Sequence, residues 1–148
     1  MQIADHMHKV SKLEQLRARL DPLSDFELWF WAAMMGGTHA VNAALHHAGV
    51  TLAVDAYATQ PGVYLVRQSD GELAPAFAAL GDVLHVGRPV IDAPVPPDVS
   101  RMMHAMERIE AHRDPCVRQG HPPTQQIVDT CEQALGECLA LLNRRLSE

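Results

Sequence analysis

Met7, Val10, Leu13, Leu16 and Leu20 recur at three- and four-residue steps, while Lys9, Lys12, Arg17 and Arg19 fall off that stripe. The period predicts an amphipathic helix from about Asp5 to Leu20, ended by Asp21-Pro22. Next, Leu23-Ser24-Asp25-Phe26-Glu27-Leu28 has the spacing of a capping box, Ser24 with Glu27, closed by a staple of Leu23 on Leu28. A second helix is therefore expected from Ser24 to Ala48, with Gly49 supplying the left-handed residue that ends it. Its first half is apolar nearly all round, through Trp29, Phe30, Trp31, Met34 and Met35, as suits a helix buried in a bundle or beneath a partner subunit. Gly36-Gly37 interrupts it and predicts a kink or a close helix crossing.

Residues 50–97 are less regular. Val63-Tyr64-Leu65-Val66-Arg67 has strand character, and Ser69-Asp70-Gly71 is a turn able to close a small hairpin. Pro75 to Val86 reads as a short helix, and Pro89, Pro94, Pro96 and Pro97 mark an extended connector. Asp98 is the expected N-cap of a third helix through about His112, with Val99, Met102, Met103, Met106 and Ile109 inward and Arg113-Asp114-Pro115 as its stop. Thr124 can cap a fourth helix reaching Leu146, along which Val128, Cys131, Leu135, Cys138 and Leu142 alternate by three and four. The pattern predicts a mainly α chain: one domain over residues 1–148, an antiparallel four-helix bundle with an irregular insertion at 50–97. An insertion of that length reads as a lid or a dimer arm.

Composition narrows this little further. With 148 residues and 47% of them hydrophobic, the chain suits one domain with a core, and excludes a disordered tail or a disulfide scaffold. The net charge of −6 argues against a general nucleic-acid coat protein, so nucleic acid is a disfavoured partner. Residues 21–97 carry two basic and eight acidic groups, an acidic middle of net −6 between a net +2 at 1–20 and −2 at 98–148. The longest apolar run, Leu28 to Met35, is eight residues where a membrane span needs about twenty. No leader pattern opens the chain, and the three cysteines Cys116, Cys131 and Cys138 read as free thiols of a reducing, cytoplasmic compartment.

Nine histidines raise the question of metal. On the second predicted helix His39, Asn42 and His46 share a face, with His47 beside it, but His39 and His46 lie roughly 10 Å apart by helix rise. Two such residues cannot hold one ion without help. His104 and Glu107 have helical spacing in an unusual order, and Asp82-x-x-His85 has useful spacing in a stretch of unsettled structure. The residues by themselves thus assign no metal and no cofactor, and leave His39, Asn42 and His46 as candidate ligand-binding positions. Phosphate-binding and serine-nucleophile motifs are absent. Cys116 has cationic neighbours in His112, Arg113, Arg118 and His121, and is more plausible as an incidental loop thiol than as a nucleophile.

Between the last two helices lies Arg113-Asp114-Pro115-Cys116-Val117-Arg118-Gln119-Gly120-His121. With the helix that follows, this stretch resembles the C-terminal half of HEPN domains, in which an Arg followed by Asn, Asp or His opens an Arg-x(4–6)-His motif. The resemblance implies a helical bundle acting as a dimer and, in active members, a metal-independent ribonuclease. Arg113-Asp114 would match the opening pair and His121 would serve as the base, one residue beyond the usual spacing, with Arg118 in the nearest allowed place. Catalytic candidates are then Arg113 and His121, with Asp114 and Arg118 as ligand contacts. The leading reading is a homodimeric binding or regulatory module without assigned catalysis. The alternatives are the ribonuclease and a small-ligand or metal-binding bundle using His39, His46 and His47.

Overall fold

The structure, a computed structural model, describes residues 1–53, 56–60, 63–77, 81–89, 91 and 93–147, and the side chains of all of these except 56–60, 63, 64 and 77. It is mainly helical: α1 (Ile3–Arg17), α2 (Phe26–His47), α3 (Pro97–Glu110) and α4 (Gln125–Leu146). Strands β1 (Ala56–Gln60), β2 (Val63–Arg67) and β3 (Leu73–Phe77) form a small antiparallel sheet in that order. No helix among the described residues is long and apolar enough to cross a membrane.

The apolar core runs through all four helices. α2 supplies Trp29, Phe30, Ala33, Ala40, Val41, Ala44 and Leu45; α1 packs on it, and α3 and α4 pack on it and on each other. From α3 come Val99, Met102, Ala105, Met106 and Ile109, while Met103 is only partly buried. Val128, Cys131, Leu135, Cys138 and Leu142 of α4 are buried as their spacing predicts. Gly37 is where the crossing is close: a Cβ there would overlap the Met106 sulfur and methyl, so the glycine lets α3 approach α2. A bidentate pair, Arg145 on Asp98 at 2.6 Å through both oxygens, ties the end of α4 to the start of α3.

Several helix ends differ from expectation. α1 stops at Arg17 rather than Leu20, and α2 begins at Phe26 without a side-chain cap. The Ser24 capping box does not form, because Asp21 takes the Ser24 amide that Glu27 would need. The amides of Leu23 and Ser24 donate to Asp21 Oδ1 at 3.0 and 2.7 Å, and the Asp21 amide donates to Asp25 Oδ2 at 3.0 Å. Leu23 and Leu28 stay exposed, so the staple is absent as well. At the other end α2 finishes as expected, on Ala48 and a left-handed Gly49. α4 likewise opens on Thr124, whose hydroxyl accepts from the Ile127 amide.

The stretch Pro75–Val86 is not a helix. Residues 73–77 pair with β2, Pro75 opposite Leu65, while 78–80 lie outside the described residues. Pro75 is tolerated because β3 is an edge strand, where an amide can be dispensed with. The third helix starts at Pro97 with Asp98 in its first turn, not as its cap, and Arg113–Arg118 continues the chain as one π-helical turn instead of a stop.

Hydrogen bonds from the Ser24 and Leu23 amides hold the Asp21 carboxyl below the ordinary carboxylate range. A carboxyl depressed in the folded state contributes stability that is complete above its ordinary value and is lost as pH falls through the lowered one. Asp21→Ala is therefore expected to lower the melting temperature near neutral pH by more than Ser24→Ala, which keeps both amide bonds. The gap between Asp21→Ala and the parent should close in strong acid, as read by calorimetry across a pH series.

Candidate metal centre

The outward face of α2 carries three polar side chains at helical spacing, His39, Asn42 and His46, and the chain covers it with its own segment 81–86. Asn42 is 2% exposed and acts as a clamp. Its Oδ1 accepts from the Val83 amide at 2.6 Å, and its Nδ2 donates to the Val83 carbonyl at 2.9 Å and to the Thr38 carbonyl at 3.0 Å. The side-chain amide thus pairs with Val83 as a strand neighbour would, while Val83 and Val86 sink into the core on either side. Fixing Val83 fixes the preceding residue, Asp82.

Asp82 Oδ1 then meets two imidazoles from different helices. His46 Nε2 lies 3.0 Å from it and His6 Nε2, from α1, 3.1 Å; the Met1 amino group is at 3.0 Å. The His6 and His46 rings converge with centroids 5.3 Å apart. Both are buried, His6 completely. Each has a partner behind it: His39 Nδ1 is 3.0 Å from His6 Nδ1, and Thr51 Oγ1 is 2.7 Å from His46 Nδ1. Burial pushes the Asp82 carboxyl up, but hydrogen bonds from His46, His6 and the Met1 ammonium outweigh it and hold the group well below the usual range. For His39, burial and then the neighbouring His6 lower the imidazole, which leaves a neutral ring able to accept or donate at Nδ1.

Of the candidates read from the sequence, His39, Asn42 and His46 come together, whereas His47 is exposed on the helix beside them. His85 does not join Asp82; it turns to Glu110, Nδ1 to Oε1 3.8 Å. His104 is exposed and Glu107 pairs with Arg88. His6, Asp82 as a partner of both rings, and Thr51 were not singled out. A signal for His6 did exist, since it occupies the same stripe as Val10 and Leu13, a polar ring at an inward position.

Arg113 and Asp114 line a groove of about 420 Å³ with His85, Arg88, Glu107 and Glu110. Arg113 donates to Glu110 at 2.9 Å and to Asp114 at 3.1 Å, and Arg118 sits 3.3 Å from Asp114. The three carboxylates Glu107, Glu110 and Asp114 offset the three guanidiniums of Arg88, Arg113 and Arg118, which leaves no surplus positive charge for a phosphate. His121 is exposed beyond the π-helical turn, its amide donating to the Pro115 carbonyl. The buried thiols Cys131 and Cys138 are both pushed up to about 12 by burial, which makes them inert.

Comparison of the chain with protein-family models finds no match, and the same holds for the curated proteins and for the solved structures.

Asn42→Ala is expected to lower the unfolding free energy by about 2 kcal/mol, since it leaves the Val83 amide and carbonyl without partners. Asn42→Asp should fare no better, because its carboxylate would face the Val83 and Thr38 carbonyls. Urea denaturation of the three proteins checks this, and a parent-like midpoint for Asn42→Ala would mean that the clamp does not hold the segment.

Proposed function

We propose that the chain is a metal-binding helical bundle. Its four helices run as an antiparallel bundle, and the face of α1 and α2 closed by segment 81–86 holds one divalent first-row transition ion on His6, His46 and Asp82. The observation that carries this reading is the convergence of one ligand atom from each of these three residues, all within 4.8 Å of one another. In tetrahedral geometry, metal–ligand bonds of about 2.0–2.2 Å place neighbouring donors roughly 3.3–3.6 Å apart. The Nε2–Oδ1 separations of 3.0 and 3.1 Å need to open by only a few tenths of an ångström to meet that.

The groups behind the rings support the same reading. A ligating Nε2 must be unprotonated, so the ring proton belongs on Nδ1 and needs an acceptor there. His39 Nδ1 and the Thr51 hydroxyl can each accept or donate. The pair can therefore serve the rings both when Nε2 donates to Asp82 and when it binds an ion. Two imidazoles with one carboxylate suit Zn²⁺, Co²⁺ or Fe²⁺ better than the all-oxygen preference of Ca²⁺ or Mg²⁺. Elemental analysis of the purified chain and titration of the EDTA-treated protein with Zn²⁺ test the reading. One equivalent should bind and raise the melting temperature. His46→Ala and Asp82→Ala should weaken binding at least about a hundredfold, and Thr51→Val by about 10–100-fold. A folded protein with no bound metal and no response to Zn²⁺ would overturn it.

The binding module is proposed to be a homodimer, through the part of α2 that the chain leaves uncovered. Leu28, Trp31 and Met35 form a stripe 64, 38 and 45% exposed, on the face that continues to Asn42 and His46. Trp29, by contrast, is core. The stripe offers roughly 300 Å² of apolar side chain per copy, over half the apolar share of a standard interface. A second copy laid on it buries the same patch twice, as a two-fold contact does. Light scattering at micromolar concentration should give a dimer mass for the parent and a monomer mass for Trp31→Glu, with an unchanged helical spectrum. A monomeric parent would rule out this assembly.

A further inference from the structure

One imidazole holds both roots of the insertion. We infer, building on the metal reading above, that His46 is a joint: an ion on His6, His46 and Asp82 fixes, through this ring, the place where the β-sheet leaves the bundle and returns to it. Metal occupancy is thereby passed to the insertion as a reversed hydrogen bond at Thr51.

His46 Nδ1 meets Thr51 Oγ1 at 2.7 Å, and Nε2 of the same ring meets Asp82 Oδ1 at 3.0 Å. Strands β1, β2 and β3 lie between these two residues in the chain. The sheet therefore departs at Thr51 and comes back at Asp82, across the width of a single ring. Each root has further ties. The Val50 and Thr51 amides donate to the Leu45 carbonyl at 3.0 and 3.4 Å, and Gln2 Nε2 donates to the Ala53 carbonyl at 2.8 Å. On the return side, Asn42 pairs with Val83. Thr51 is 2% exposed and the His46 side chain 1%, so water does not stand in for the contact between them.

The two states of a neutral ring differ in which nitrogen carries the proton. A carboxylate only accepts, so without metal the Nε2 proton points at Asp82 and Nδ1 accepts from the Thr51 hydroxyl. When Nε2 binds an ion, its proton leaves to solvent and another is taken up at Nδ1. Nδ1 then donates, and the Thr51 hydroxyl turns from donor to acceptor. A ring polarised by the ion is the stronger donor, so Thr51 is gripped more firmly. His6 changes in the same sense. Its Nε2 proton leaves to solvent, the His39 Nδ1 proton crosses the 3.0 Å contact to His6 Nδ1, and His39 takes up a proton at Nε2. All three rings are neutral before and after, and what the ion alters is the direction of the bonds behind its ligands.

Nitrogen-15 spectra of the histidine rings and amide hydrogen exchange read the two ends of this coupling. The full-length, EDTA-treated protein is compared with the protein holding one equivalent of Zn²⁺, at about pH 8, above the ordinary imidazole range. Without metal, His6 and His46 should carry the proton on Nε2 and His39 on Nδ1, and Zn²⁺ should reverse all three. Exchange of the Val50 and Thr51 amides should slow at least about tenfold on binding. Thr51→Val, saturated with Zn²⁺, should keep the change at His6 and His39 and lose most of that slowing, while Thr51→Ser, which retains the hydroxyl, should behave as the parent. A parent that binds Zn²⁺ without slower exchange at Val50 and Thr51, or equal slowing in Thr51→Val, would overturn the joint and leave the metal reading intact. Zn²⁺ bound with the rings unchanged would place the ion on other groups and overturn both. A folded protein that takes up no Zn²⁺ would likewise overturn both.

Discussion

α2 has no face it can leave in water at little cost, and the rest of the molecule is arranged around that constraint. α1 covers one side of it, and α3 and α4 a second, helped by Gly37, which lets the Met106 side chain lie against the α2 backbone. The third side is different in kind. There His39, Asn42 and His46 interrupt the apolar surface, and burying them costs free energy unless each finds a partner. Apolar side chains could not serve as the cover. What lies there is a stretch of backbone paired to Asn42 and a carboxylate set against two imidazoles.

The cover holds the groups of the site in place. Val83 is held at both its amide and its carbonyl, Val86 is anchored in the core, and each imidazole is held at both nitrogens. No described buried side-chain nitrogen or oxygen lacks a hydrogen-bond partner. The rings and the carboxylate are thus oriented by their neighbours, as the proposed metal site would require. The same arrangement joins residues 6, 46 and 82, so an ion there would also link α1, α2 and the segment leading to α3.

The groove around Arg113 presents the opposite case. It has volume and titratable groups, but its charges are spent on one another: Arg113 on Glu110 and Asp114, Arg88 on Glu107. Fully satisfied pairs at a surface make a stable wall more readily than a binding site. At the centre under α2, by contrast, one carboxylate oxygen gathers three nitrogens.

Much of the helical framework was legible in the residues because it is local. The three–four stripes of α3 and α4, the Thr124 cap and the Gly49 end all follow from neighbours within one or two turns, which backbone geometry links directly. Local reasoning failed where two local options competed. Asp21 took the Ser24 amide that Glu27 was expected to accept from, and β2 recruited residues 73–77, of which 75–77 looked helical in isolation. The centre itself lay further out of reach. Residue types and helix spacing placed His39, Asn42 and His46 on one face and found them insufficient alone. The completing groups come from 33 residues before His39 and 36 residues after His46. Periodicity reports only which face of an element a side chain occupies. Which other element meets that face is decided by packing, and so only the tertiary structure could set His6 and Asp82 against His46.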